Sequence, residues 1–167
     1  MKIRSDLARF GRGFVYAWNG IRAAVQEERN FRFHLCAACY VVVACFLAQL
    51  SAVEWALISL CITAVLGMEL MNSAVERAVD KPDTSHWWSA GAAKDMAAGA
   101  VLIVALGAVV VGCFLLGAHL STILTALQQT PLISVLCLLA LIPAYFFIFR
   151  YHSTTQKGET SHGKTDS

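Results

Sequence analysis

The stretch VEWALISLCITAVLGMELMNSAVERAVD, Val53 to Asp80, is mostly apolar as far as Met68 and then turns polar along a single stripe. Glu69, Asn72, Glu76 and Asp80 recur at i, i+3, i+7 and i+11, which at about 100° per residue puts all four within roughly 80° of one helical face. Leu70, Ala74, Val75 and Val79 fall elsewhere on the wheel. An ionised carboxylate without a partner costs several kcal/mol or more in hydrocarbon, so these groups are not passive filler. Hard oxygen ligands on a helix that enters an apolar layer suit magnesium, and magnesium suggests phosphate chemistry at a membrane surface.

Composition leads to the membrane independently. The 167 residues are 57% hydrophobic and only 14% charged, with a mean hydropathy of +0.61. That is far more apolar than a soluble domain, and nothing in the chain points to a nucleic-acid partner. Four stretches are expected to span: Leu35 to Leu50, Val53 to Met68 with its polar continuation, Ala97 to Ala118, and Leu132 to Phe149. Each approaches the ~20 residues that a bilayer core requires.

Charge placement orients them. All 13 Lys and Arg fall before Leu35, between the second and third spans, or after Phe149. The short connection Ser51 to Glu54 and the longer loop Leu120 to Thr130 contain none. The positive-inside rule therefore puts both termini and the Asp80 to Lys94 loop in the cytoplasm. Trp18, Trp55, Trp87 and Trp88 lie near the expected ends of spans, as an interfacial aromatic belt would.

Ahead of the first span, Leu7, Phe10, Phe14, Trp18, Ile21 and Val25 follow a helical stripe, with Arg4, Arg12 and Arg22 mostly off it. This reads as an amphipathic helix in the cytoplasmic interface, not a cleavable signal. Tyr151 to Ser167 has almost nothing apolar and is expected to be disordered. Cys36, Cys39, Cys45, Cys61, Cys113 and Cys137 all fall inside spans and read as small packing residues; one C-x-x-C without further ligands is weak for zinc. Gly99, Gly107, Gly112 and Gly117 suit close helix packing. Gly158, Gly163, Lys164 and Thr165 match G-x-x-x-x-G-K-[ST] to the letter, but that phosphate loop works only between a strand and a helix, and neither is expected in this tail.

Three motifs in order, Glu28-Arg29-Asn30-Phe31-Arg32-x-His34, then Glu69-x-x-Asn72-x-x-x-Glu76-x-x-x-Asp80, then Ala93-Lys94-Asp95 with Ala97-Ala98-Gly99-Ala100, resemble the signature of a known family. It is that of the small prokaryotic integral-membrane lipid kinases, the diacylglycerol and undecaprenol kinases. The resemblance covers roughly residues 5 to 118. It implies an amphipathic N-terminal helix and a three-span core, assembled as a homotrimer with active sites shared between neighbouring subunits. It further implies that Glu28 and Glu76 hold the Mg²⁺ that bridges ATP phosphates, with Asn72 supporting them, and that Glu69 takes the proton from the lipid hydroxyl. Lys94 and Asp95, with Arg9 and Tyr16 on the surface helix, would contact ATP, and Asp80 would belong to the polar network beneath. His86 sits where the family often has a nucleotide-contacting residue, whereas Trp87, Trp88 and Ser89 replace its usual neighbours.

Apart from the resemblance, Glu28 beside Glu27 and Arg29 reads as a solvated charge run, Lys94-Asp95 as a helix start, and His34 as an interfacial polar tip. Glu69 lies too deep for a bland reading. The expectation is thus an all-α polytopic membrane protein of the bacterial inner membrane, both termini cytoplasmic. Residues 1–118 would form the kinase core, 119–150 an outer loop and an additional transmembrane helix, and 151–167 a cytoplasmic tail. Its activity would be phosphorylation of a membrane lipid alcohol by ATP and Mg²⁺. The Glu-Arg-Asn-Phe-x-Phe-His stretch and the Ala/Cys-rich first span favour undecaprenol over diacylglycerol. A small transporter or proton-conducting subunit is the alternative of another class, but a relay needs polar residues toward the outer face, where only Glu54, Ser59 and Thr63 occur. A purely structural assembly protein leaves the acidic stripe unexplained.

Overall fold

The computed structural model describes residues 2–80 and 88–150. Among these the chain is helical throughout: α1 (Lys2–Glu27), α2 (Arg29–Ala48), α3 (Ala52–Val79), α4 (Trp88–Ala118), α5 (Leu120–Gln129), α6 (Pro131–Leu139) and α7 (Leu141–Arg150). Four segments are long and apolar enough to cross a membrane: Arg29–Ala48, Ala52–Val79, Ser89–Ala118 and Pro131–Phe149. The protein is an all-α, multi-pass membrane protein.

α1 and α2 are separated by one residue. Glu28 takes an extended conformation (φ −99°, ψ 112°) at the N-cap of α2, and its side chain makes no capping bond. Neither Gly nor Pro is present to force the break. Instead Arg32 fills it: its Nη1 donates to the Val25 and Gln26 carbonyls at 3.2 and 3.1 Å, two acceptors that a helix C-terminus leaves without partners. α2 begins at Arg29, ahead of the expected Leu35, so the mixed polar and aromatic residues Arg29 to His34 form its opening turns.

The turn from α2 to α3 is built by caps. Gln49 adopts the left-handed conformation (φ 54°), with Gln49 N–H donating to Phe46 O and Leu50 N–H to Cys45 O. This is the Schellman arrangement, usually made with Gly, and its apolar contact joins Leu50 to Cys45 in a small core with Ala48 and Ile58. Ser51 then opens α3 through a capping box with Glu54. Glu54 also receives His119 Nε2 at 2.9 Å, tying the start of α3 to the α4–α5 joint. α3 continues through the polar stripe as one helix of 28 residues, about 42 Å long, and packs most extensively against α4.

Two expectations are corrected. The segment Leu120 to Thr130, expected as a loop, is mostly the helix α5, with Thr125 Oγ1 and Thr130 Oγ1 donating to carbonyls one turn back. Two polar side chains answered by their own backbone let a segment that reads as polar remain helical. Gly99, Gly107, Gly112 and Gly117, expected at close helix contacts, have open space where a Cβ would stand. The fourth span is divided at Ala140 into α6 and α7, because Pro143 has no N–H to continue the ladder and is tolerated only in a first turn. All six cysteines are free, and only Cys45 lies in the core. Large apolar side chains such as Leu102, Ile103, Phe114 and Leu132 point outward, as a hydrocarbon solvent allows. The tail Tyr151 to Ser167, with its phosphate-loop match, and His86 and Trp87 lie outside the described residues.

Candidate active site

Glu69 is 4% exposed, and its only described side-chain partner stands on another helix: His34 Nε2 lies 3.1 Å from Glu69 Oε1. The pairing gives a deeply placed carboxylate the partner that burial demands. One turn on, Ser73 Oγ donates to the Glu69 carbonyl at 3.0 Å. Asn72 is also buried; its Nδ2 donates to Glu76 Oε1 at 2.8 Å while its Oδ1, equally buried, has no hydrogen-bond partner. The hinge residue Glu28 comes to the same place from the other side. Arg77 Nη2 meets Glu28 Oε1 and Glu27 Oε2, each at 3.1 Å, and both Glu28 and Glu76 are near enough for Glu69 to feel their charge.

The expected residues thus fall into three groups. Glu28, Glu69, Asn72 and Glu76 gather at one end of the bundle. Asp80, at the C-cap of α3, takes Lys94 Nζ at 2.6 Å and so bridges α3 to the second turn of α4, with Asp95 exposed beside it. Arg9 and Tyr16 are not brought in within one chain: Tyr16 is 69% exposed on α1, and eleven residues of helix place it about 17 Å from Glu27.

Sequence reasoning missed three residues. His34 closes the first motif of the resemblance but is given no role by it, and from the residues alone it reads as a polar tip, since its partner is 35 positions away and cross-helix pairing leaves no periodic trace. Arg77 bridges the Glu27 and Glu28 carboxylates, and Arg32 braces the hinge. The charge run at Glu27 and Glu28 was the one available hint that a cation must stand opposite.

Below His34 an apolar groove of about 530 Å³ descends between α2, α3 and α4. Ala37 and Val41 form one wall, Val65 and Ile62 another, and Ala108 and Gly112 the third. The arrangement therefore holds an imidazole at the head of a greasy slot, with the buried Glu69 carboxylate paired to it and further carboxylates toward the polar end. Among the described residues no three His, Cys, Asp or Glu are grouped as a metal cage. The oxygen donors nevertheless fit magnesium, which keeps several waters and needs only one or two carboxylates beside phosphate: Glu28 and Glu76 are carboxylates that could supply those, and Asn72 Oδ1 is an unanswered oxygen next to Glu76.

Similarity to known proteins follows the same residues. Over 109 positions the chain is 44% identical to an undecaprenol kinase of Bacillus subtilis, covering 65% of this chain and 89% of that one. It is 43% identical over 110 positions to a diacylglycerol kinase of Synechocystis, covering 65% and 63%, and 38% identical over 105 to a diacylglycerol kinase of Escherichia coli K12, covering 62% and 85%. The profile of the family described as prokaryotic diacylglycerol kinase matches residues 15–116, the segment that carries the hinge, the acidic stripe and Lys94. This chain, with its buried Glu69 paired to the histidine that heads the apolar groove, belongs to that family of lipid kinases.

Proposed function

We propose that this protein transfers the γ-phosphoryl group of ATP to the hydroxyl of undecaprenol, with Mg²⁺, at the cytoplasmic face of a bacterial inner membrane. The observation that carries the proposal is Glu69, buried beside His34 where the polar stripe meets the apolar groove. A polyisoprenoid chain in the groove would raise its alcohol to Glu69, and ATP would approach from the Glu28 and Glu76 end. Seven residues of helix separate Glu69 from Glu76, about 10 Å, room for a hydroxyl below and phosphates above.

Phosphoryl transfer needs positioning and charge neutralisation more than covalent chemistry. Glu69 accepts the hydroxyl proton as the alcohol oxygen bonds to the γ-phosphorus and ADP departs. His34 holds the carboxylate toward the groove. Glu28 and Glu76, with Asn72, would hold Mg²⁺, which neutralises charge on the phosphates. Lys94, released from Asp80, would reach the nucleotide with Asp95. Arg9 and Tyr16 lie far from their own Glu28, which favours a homotrimer in which the surface helix serves a neighbour's site. The His86 contact belongs to the same proposal.

Both termini are placed in the cytoplasm on this reading. The 44% identity to an undecaprenol kinase, over 89% of that protein's length, is in line with that acceptor, and the 43% identity to a diacylglycerol kinase keeps diacylglycerol as the alternative. The test is reconstitution in vesicles with labelled ATP and Mg²⁺, offering each alcohol separately: label enters undecaprenol at the higher rate. Faster transfer to diacylglycerol would reassign the acceptor, and transfer to neither would end the proposal.

A further inference from the structure

The fourth span lies outside the matched segment 15–116, yet it is fastened to α2 at three points along one face. Tyr40 Oη donates to Cys137 O at 3.2 Å, Arg32 Nη2 donates to Ile148 O at 3.1 Å, and the Arg29 guanidinium sits 5.8 Å from the centre of the Phe149 ring, within cation–π range. Residues 29, 32 and 40 fall at i, i+3 and i+11, again within roughly 80° of the wheel. The fourth span therefore runs antiparallel to α2, and its C-terminal end arrives at the end where Glu28 stands.

Arg32 connects these facts. It is only 5% exposed, and its fork works in two directions: Nη1 holds the Val25 and Gln26 carbonyls closing α1, and Nη2 holds the Ile148 carbonyl near the end of α7. The Val25 and Gln26 carbonyls stand at the C-terminus of α1, where unpartnered carbonyls and the helix dipole favour a cation. A planar guanidinium can serve both ends at once, whereas an ammonium is a single flexible point charge. Between the α1 carbonyls and Arg32 lies Glu28, the one extended residue of the junction.

We propose that the fourth span is a brace for the nucleotide site: through Arg32, the end of α7 fixes the α1–α2 angle and hence the position of the Glu28 carboxylate. Arg32 is a positioning residue, acting through Glu28 without touching substrate, and Tyr40 and Phe149 hold the brace in place. This rests on the reading that Glu28 serves Mg²⁺ and ATP.

The experiment is steady-state kinetics of the full chain in vesicles, with the acceptor lipid and MgATP varied separately, on Arg32→Lys, on the double variant Tyr40→Phe/Phe149→Ala, and on Glu28→Ala as reference. Arg32→Lys should raise the KM for MgATP about tenfold, and the double variant about fivefold, as expected for losing bonds in a shared network. The KM for the lipid should stay within about twofold, because the Glu69 groove is untouched. A kcat loss with both KM values unchanged would mean general damage to the fold and would overturn the brace. An unchanged MgATP KM in the double variant, beside a raised one in Glu28→Ala, would also overturn it while sparing the nucleotide reading; the double variant decides even if Arg32→Lys fails to fold. If Glu28→Ala itself left MgATP use unchanged, the Glu28 reading would fail and the brace with it.

Discussion

His34 and Glu69 make one pair out of residues on two helices, 35 positions apart. Glu69 was legible because a carboxylate deep in an apolar helix has few bland explanations, but His34 was not, because a histidine near a helix start usually finds water at an interface. Their 3.1 Å contact leads to a double-mutant prediction. His34→Ala should lower kcat by roughly tenfold through misplacement of the carboxylate, and in a Glu69→Gln background the same change should cost almost nothing further. Additive losses in kcat would show that His34 acts elsewhere. The metal-side residues make a separate prediction: Glu28→Ala and Glu76→Ala should each shift the Mg²⁺ titration of ATP binding upward by about tenfold or more, with incomplete rescue at excess Mg²⁺, since magnesium demands near-octahedral oxygen geometry. Superimposable titrations for wild type and both variants would remove these carboxylates from the metal shell.

At the scale of the element, helical character was legible wherever apolar residues ran long, and the second span was expected to continue through its polar stripe, as α3 does. Capping and local bonding were less legible. Nothing in Gln26 to Arg29 announces the Glu28 hinge, which depends on Arg32 reaching backward; nothing in Leu120 to Thr130 announces α5, whose Thr hydroxyls satisfy backbone carbonyls. The caps between α2 and α3 offer a stability test far from the carboxylates. Gln49 stands at φ 54° where glycine is at ease, so Gln49→Gly should stabilise the protein by about 1 kcal/mol, whereas Ser51→Ala should destabilise it by about 1 kcal/mol through loss of the capping box. Thermal unfolding in detergent reads both, and kinase turnover in vesicles should be unaffected. A destabilised Gln49→Gly would mean that the Gln49 side chain makes a contact that outweighs its backbone strain.

For the whole molecule, four spans return the chain to the end of the bundle where it began, and the bond from Arg32 to Ile148 closes that circuit within one chain. Span number was legible from hydropathy, but the packing of the fourth span on α2 was not, since its bonds run from side chains to backbone carbonyls that any sequence would offer. The phosphate-loop match at Gly158 to Thr165 should be silent, because the polar sequence around it predicts neither the strand nor the helix that would direct its N–H groups at phosphate: Lys164→Ala, or removal of Tyr151 to Ser167, should leave turnover within about twofold. Loss of ATP use with assembly intact would reverse that reading. The central claim is that a lipid hydroxyl gives its proton to Glu69 while ATP supplies the phosphoryl group, and label transfer into undecaprenol vesicles by wild type and by Glu69→Gln tests it most directly. The account predicts rapid transfer by wild type and at least about a hundredfold slower transfer by the variant, with the folded oligomer and ATP binding preserved. Near wild-type turnover by Glu69→Gln at saturating lipid would contradict it.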